Sequence, residues 1–415
     1  MTTNLPAPPL SSDTRPYRVA LLSIQPDGED FLVGSQALGG FYQFPPQGVT
    51  VLDRLRAGLS PAAIKAELAT DAQGDGVDVD DFIETLLDIG FIRSTDAPDP
   101  VPLEAAPDRR WLFAVDRRVA ALFFSLPAMI GYAALLAAAV LVAARTPAAR
   151  PDPAAFFLDH DLAPTLILLL ILAFGTTALH ELGHLLAAAR EGIASRVGIG
   201  TRLWNIVVEA DLTGIFALPK RRRYLPLAAG MLVDLLTIAA TTLIIAWLIR
   251  AQASPFVIAL LKAMVLQTIA TIIWQFNLFL RTDGYYLLSN WASYPNLDAD
   301  ARIYIANRVH RLTRGLRGSA QAPATTHRLA TLRVFAAIWV FGRVLAVAML
   351  VFVVVPTLYR YCAKAWRTIG DPAASRATII DTSVFAALCV AMLTMGMVLW
   401  LRPKLKHARL NRLPG

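Results

Sequence analysis

Charged residues are scarce in this chain of 415 residues. Asp, Glu, Lys and Arg make up only 17% of the sequence, whereas hydrophobic residues make up 56% and the mean hydropathy is +0.51. A soluble globular domain typically carries about 25% charged residues, so an entirely soluble fold is excluded. Several apolar runs reach the roughly 20 residues that a helix needs to cross a bilayer. The composition therefore predicts a multi-pass membrane protein.

Cysteine is also rare, and two other signals are missing. Cys362 and Cys389 are the only cysteines; they lack the spacing of metal ligands and cannot form a disulfide framework. Residues 1–16 are polar and rich in proline, so no cleavable signal peptide is expected. Basic and aromatic residues do not alternate on a polar module, which argues against nucleic acid as a partner.

Six membrane spans are predicted, and the positions of Lys and Arg orient them. The spans cover residues 119–144, 162–189, 225–249, 255–280, 334–357 and 379–401. Basic residues are concentrated in segments 190–223, 281–333 and 402–415, which alternate with less basic segments. Because basic loops remain in the cytoplasm, both termini are predicted to be cytoplasmic. The lipid bilayer of the cell membrane is thus a predicted partner, and the fold class is a mostly α, polytopic helical bundle.

The segment 15–95 predicts a small, soluble α+β module of winged-helix type. Tyr17–Ile24 and Phe31–Val33 flank a Pro-Asp-Gly turn, which is typical of a β-hairpin. Three helices and a wing strand are expected next, at Val49–Leu55, from Ser60-Pro61, at Phe82–Leu87 with Asp80 or Asp81 as its cap, and at Phe91-Ile92. Residues 1–14 are predicted to be disordered, and residues 96–116 to form an acidic, proline-rich linker.

His-Glu-Leu-Gly-His at positions 180–184 carries the clearest chemical signal. On a helix, His180 and His184 share one face, so both imidazoles can reach one metal ion. Glu181 is close enough to contact water at that ion. The alternative is a polar cluster that bonds only within the helical bundle. Ionisable residues inside a membrane helix are costly and usually functional, so a shared divalent cation is favoured.

A third metal ligand is expected near the cytoplasmic end of the fourth span. A catalytic zinc takes three protein ligands and keeps one position open. The predicted topology places Asp283 at a depth similar to that of His180 and His184, which makes it the best-placed carboxylate. On the residues alone, capping of a helix or loop is an equal alternative for Asp283.

The sequence predicts three further features of the membrane part. Segment 191–223 predicts a small sheet or re-entrant hairpin, with strand-like runs at Val197–Ile199, Leu203–Val208 and Ile215–Leu218. Asp234 and Arg343 lie at similar depths in their spans, so they predict a buried ion pair, with a hydrated cleft for each as the alternative. Residues 291–333 are a predicted basic cytosolic segment, and its amphipathic part at 301–333 favours either anionic lipid headgroups or a solvated loop.

These motifs resemble the site-2 protease family of intramembrane zinc metalloproteases over residues 165–300. The peptide zinc metalloprotease branch of that family has Asn-Pro-Leu-Leu-Arg-x-Asp-Gly-Tyr-Tyr where this chain has Asn277 to Tyr286, with Leu278 at the proline position. It also has an alanine-glycine stretch followed by an acid, as at 229–234, although many relatives have glutamate where Asp234 stands. The resemblance implies zinc ligation by His180, His184 and Asp283, Glu181 as general base, and Asn277 as the residue that holds the substrate backbone or the oxyanion.

The N-terminal module resembles the PqqD-like modules that bind leader peptides of ribosomally synthesised peptides. Such modules add the peptide as a strand to an open sheet edge; a regulatory or stabilising domain is the alternative. The two resemblances imply a protease core at 117–290, C-terminal spans and a basic tail at 334–415, maturation or leader removal of a peptide, and contact with other peptide-biosynthesis proteins. Two alternatives remain: a site-2-type protease that cuts a membrane regulator or signal peptide, and a non-catalytic peptide exporter or immunity protein.

Overall fold

The computed structural model of the chain is mostly helical. It describes residues 17–38, 40–70, 78–95, 111–113, 115–152, 155, 162–202, 205–313 and 329–410. The chain forms two compact units, of which the first takes Met1–Asp108 and Thr213–Arg221 and the second takes Arg109–Leu212 and Arg222–Gly415. The prediction of disorder at 1–14 lies outside the described residues.

The first unit is a small α+β fold. Its elements are β1 (Tyr17–Val19), β2 (Ser23–Asp27), β3 (Asp30–Ser35), β4 (Gly40–Phe44), α1 (Pro46–Arg56), α2 (Pro61–Thr70), α3 (Val79–Asp88) and β5 (Ile92–Ser94). β2, β3 and β4 form an antiparallel sheet in that order, and β1 pairs with β5. The helices cover a core of buried residues that includes Val33, Phe44, Val51, Leu52, Leu55, Ile64, Ile83, Leu86 and Phe91.

The predicted hairpin is confirmed in part. β2 and β3 pair around Gly28, whose φ of 75° favours glycine. Tyr17–Ile24 is not one strand, however, because the chain leaves extended pairing at residues 20–22, where Leu21 is 95% exposed. The three predicted helices and the wing strand are present, but Asp78 caps α3, since its carboxylate accepts the amide of Asp80 at 3.0 Å. The expected cap at Asp80 or Asp81 was therefore wrong.

A second stretch of chain completes the first unit. Thr213–Ala217 forms a turn of 3₁₀-helix, so the predicted strand at Ile215–Leu218 was wrong. The Phe216 ring lies 6.1 Å from the Phe41 ring, and the Ser23 hydroxyl donates to the Ala217 carbonyl at 3.3 Å. The turn buries Ile215 completely without needing a strand partner.

The remainder of the chain is dominated by long helices. Its elements are β6 (Trp111–Phe113), α4 (Arg117–Phe123), α5 (Leu126–Arg145), α6 (Leu162–Arg190), β7 (Ser195–Arg202), β8 (Asn205–Asp211), α7 (Lys220–Arg250), α8 (Pro255–Gln275), α9 (Asp283–Ala292), α10 (Leu297–Leu312), α11 (Leu329–Met349), α12 (Val355–Ile369) and α13 (Arg376–Leu410). Short 3₁₀ turns occur at Pro147–Ala149 and Leu278–Leu280, and a π-helical turn at Leu350–Val354 joins α11 to α12.

Six of these helical segments are long and apolar enough to cross a membrane. They are Arg117–Arg145, Leu162–Arg190, Lys220–Arg250, Pro255–Gln275, Leu329–Phe352 and Arg376–Val398. The prediction of a polytopic helical bundle with six spans is therefore confirmed, and the chain is a multi-pass membrane protein. The fourth span is shorter than predicted, because α8 ends at Gln275 and the chain turns before Asp283.

The predicted strands between α6 and α7 form a hairpin. β7 and β8 pair antiparallel, with Val197 opposite Ala210, and β6 pairs with the other side of β7. The predicted linker at 96–116 therefore contributes a strand to this sheet. Among the residues that the structure describes, no strand pairs with the outer edge of β8.

Candidate metal centre

His180, His184 and Asp283 converge on one point. The Nε2 atoms of the two histidines lie 3.2 Å apart, and Asp283 Oδ2 lies 3.0 Å from His180 Nε2 and 3.1 Å from His184 Nε2. Zinc binds such ligands at about 2.0–2.1 Å, so tetrahedral ligand atoms lie about 3.3 Å apart. The three residues form a group that can hold a metal ion.

Helix geometry and a tight turn bring these three side chains together. His180 and His184 are one turn apart on α6, and both are buried. At the start of α9, the Thr282 hydroxyl donates to the Gln275 carbonyl at 2.5 Å, and the Asp283 amide donates to Gln275 Oε1 at 3.3 Å. These bonds fix the first turn of α9 against the end of α8. Burial opposes ionisation of Asp283, but in the metal-free chain the protonated imidazoles of His184 and His180 hold the pKa of its carboxyl below the ordinary value.

The other ring nitrogen of each histidine is held by α7. His180 Nδ1 lies 2.8 Å from Asp234 Oδ2, and His184 Nδ1 lies 2.7 Å from the Pro226 carbonyl oxygen. An Nδ1–H that donates to oxygen leaves Nε2 with the lone pair that a metal ligand needs. Both rings are therefore oriented with Nε2 toward the common point.

The predicted ion pair between Asp234 and Arg343 was wrong. Asp234 is 1% exposed and its carboxylate contacts His180. The Arg343 guanidinium lies instead 4.7 Å from the centroid of the Trp339 ring. An aromatic ring attracts a cation that lies over its face, so each charge has a different partner.

Gly230 leaves space open at the convergence point. A Cβ atom added there would lie 2.3 Å from His184 Nε2 and 2.6 Å from His180 Nε2. α7 therefore approaches the ligands with bare backbone, and the space beside both nitrogens is one that a side chain would fill. This space and the donor set fit a metal ion.

The Glu181 side chain extends from α6 to the hairpin of β7 and β8. Its Oε2 accepts the backbone amide of Ala210 at 2.9 Å. Because that amide points to Glu181, it faces away from β7 and toward the open edge of β8. Glu181 is half-buried and is bonded to β8 through this amide.

The structure does not bring the Asn277 side chain into a bonded contact with this group. Asn277 is half-buried in the turn after α8, its carbonyl accepts the Thr282 hydroxyl at 3.4 Å, and its carboxamide makes no hydrogen bond with a described residue. The role of Asn277 stays a prediction. Leu278 stands at the position of proline in the motif that this stretch resembles, and α8 ends at Gln275, before Leu278.

Sequence reasoning missed several residues of this site. Asp234 had a signal, since it is an acidic residue inside an apolar span, but its partner was misassigned. Gly230 had a weaker one, as part of the alanine-glycine stretch. Pro226 and Ala210 act through backbone atoms, so their residue types do not indicate these contacts.

Replacing Asp234 by asparagine should weaken metal binding. An amide cannot stabilise the metal-bound imidazole of His180 as a carboxylate does, and loss of such a partner typically costs 10–100-fold in affinity. We expect the zinc affinity of Asp234→Asn to be lower than that of the wild type by a factor in that range, as measured by titration against a chromogenic chelator. Thr237→Val is the matched control, because the one bond of the Thr237 hydroxyl to a described residue is to the Val233 carbonyl of its own helix. Equal affinities of wild type and Asp234→Asn would contradict the assignment.

The described chain thus contains a group of two histidines and an aspartate that can hold a metal ion, next to a glutamate and an open strand edge. Comparisons of the chain with models of protein families, with curated proteins and with solved structures found no match. The functional assignment therefore depends on the motifs and on this geometry.

Proposed function

We propose that this protein is an intramembrane zinc metalloendopeptidase. The convergence of His180, His184 and Asp283 beside Glu181 is the observation that carries the proposal. Two imidazoles and one carboxylate are a typical donor set of catalytic zinc, which keeps a further position for water or substrate. The glutamate directly after the first histidine favours hydrolysis, since it can manage the proton of the attacking water.

The chain's own residues would then divide the chemistry. A bound zinc ion would supply Lewis-acid activation of water and of the scissile carbonyl. Glu181 accepts the proton of the attacking water and passes it to the leaving amine, so the peptide bond breaks with no net change in the protein. Asp234 and the Pro226 carbonyl keep the imidazoles oriented.

The substrate must reach the site in an extended form, because a helix hides its carbonyl groups. The outer edge of β8 offers backbone groups for strand addition next to Glu181. This edge supports a peptide or membrane-peptide substrate, whose backbone would pair with β8 while the scissile bond lies near the histidines.

We further propose that the cleavage matures a ribosomally synthesised peptide or removes its leader. The first unit supports this, since β2 and β4 are the terminal strands of their sheet and can accept an added strand. In the proposed setting the protein lies in the cell membrane with both termini in the cytoplasm, as the basic segments favour. Other peptide-biosynthesis proteins would then be its partners.

Metal analysis of ligand variants tests the proposal. We expect one zinc ion per chain in the wild type and loss of zinc and of peptide cleavage in His184→Ala and Asp283→Ala. The measurement is mass spectrometry of the purified protein in nanodiscs, with cleavage of extended peptides followed in the same samples. Zinc retained by Asp283→Ala would place the third ligand elsewhere. Bound iron instead of zinc would contradict the assignment of zinc, because two histidines and one carboxylate also form iron sites.

A further inference from the structure

Asp298 is a fully buried carboxylate at the start of α10, outside the metal-binding group. Its Oδ2 accepts Arg281 Nε at 3.0 Å and Arg302 Nη2 at 2.8 Å, and its Oδ1 accepts the Trp339 indole nitrogen at 3.1 Å. The side chain is 0% exposed. Both oxygens are therefore satisfied by donors from three different parts of the chain.

These contacts enclose the turn that presents Asp283. Arg281 precedes Asp283 by two residues, and Tyr285 follows it by two. The Asp298 amide donates to the Tyr285 hydroxyl at 3.1 Å, so Asp298 contacts both flanks of the ligand, one through its side chain and one through its backbone. The Trp339 bond extends the contact to α11.

The backbone at Arg281 shows why this turn needs support. Arg281 has a φ of 53°, a left-handed conformation that residues with a Cβ rarely adopt. Such a conformation persists only where the surroundings hold it. The bond from Arg281 to a buried carboxylate supplies that restraint.

A buried charge at this position also needs a reason. Removing a carboxylate from water is costly, and well-packed apolar residues often stabilise a fold as well as a buried ion pair does. A carboxylate with three donors does more than fill space, since it fixes the direction of each partner. Tyr285, Leu297, Phe335 and neighbouring residues already form an apolar core around it, so packing alone does not require the charge.

We propose that Asp298 is the positioning residue that holds Asp283 in place for metal binding. It restrains Arg281 on one side and Tyr285 on the other, and thereby sets the depth and direction of the Asp283 carboxylate. This inference rests on the proposed function in that Asp283 serves as a metal ligand.

The test compares Asp298→Asn with Asp300→Asn in the full-length protein in nanodiscs. Asp300 is the matched control, because it is also buried in the first turn of α10 and accepts the Tyr294 hydroxyl at 2.8 Å. Zinc affinity is measured by competition with a chelator, and the melting temperature of the metal-free protein is measured beside it. We expect Asp298→Asn to weaken zinc binding about 10-fold, the lower end of the loss that follows removal of a ligand's direct partner, because Asp298 acts on Asp283 through the flanking residues. We expect Asp300→Asn to bind zinc as the wild type does. Equal affinity losses in both variants would overturn the proposal.

A second measurement does not depend on the metal. Hydrogen exchange of residues 278–288 is followed in the metal-free protein, where we expect faster exchange in Asp298→Asn than in Asp300→Asn. If the wild type binds no zinc, the proposed function fails. The exchange result still decides whether Asp298 restrains this turn. Unchanged exchange in Asp298→Asn would overturn the proposal about Asp298. Should Asp298→Asn not fold, Arg281→Lys keeps the charge and loses the Nε bond, and the same two measurements apply with the same expected direction.

Discussion

Glu181→Gln should retain zinc and lose peptide hydrolysis. Glutamine cannot accept the proton of the attacking water, and general acid–base catalysis typically contributes about 10²–10⁴-fold to a rate. The substitution is close to isosteric, and the glutamine Oε1 can still accept the Ala210 amide that Glu181 accepts at 2.9 Å. The hairpin and the histidines should therefore keep their positions. The rate is measured by single-turnover cleavage of a fluorogenic extended peptide in proteoliposomes.

Zinc content must be determined in the same preparations, so that a slow but zinc-loaded variant is distinguished from one that has lost its zinc. Glu191→Gln is the control, because Glu191 lies after the last turn of α6, near Arg222 at 3.9 Å and away from the metal-binding group. We expect it to cleave at the wild-type rate. Turnover by zinc-loaded Glu181→Gln at a similar rate would remove Glu181 from the chemistry, and a loss of zinc would assign it a structural role instead.

The parts of this molecule that the sequence predicts are those encoded locally. The spacing of His180 and His184 places both on one helical face whatever else the chain does. The six spans follow from apolar runs of sufficient length. Asp283 needed one more step, since only the topology of the spans indicated that it reaches the depth of the histidines.

The parts that the sequence does not predict depend on pairing between distant segments. β1 leaves the expected hairpin and pairs with β5, because short strands carry too little pattern to choose between partners. Asp234 was identified as a buried acid, but the choice between Arg343 and His180 depends on how α7 packs against α6. The Pro226 carbonyl and the Ala210 amide are backbone groups, so the residue types at these positions do not reveal the bonds that they make.

Gly230→Ala should greatly weaken metal binding. The added Cβ would lie 2.3 Å from His184 Nε2 and 2.6 Å from His180 Nε2, closer than real contacts allow, and in the space beside both ligand atoms. Neither ring can swing away easily, because His180 is bonded to Asp234 and His184 to the Pro226 carbonyl. Either α7 moves or the imidazoles do, and both movements separate the ligands. We expect a loss of zinc affinity of at least ~100-fold, the upper end of what an outer partner costs.

Gly175→Ala is the matched control for this variant. Gly175 lies on α6, N-terminal to both histidines, and a Cβ atom added there meets nothing within 4 Å. Alanine is the better helix former by about 1 kcal/mol, so the control should fold and bind zinc as the wild type does. Zinc titration and the melting temperature of the metal-free protein are measured for both variants. If Gly230→Ala bound zinc as tightly as Gly175→Ala, the metal ion would not lie beside α7, and the assigned ligand atoms would have to be reconsidered.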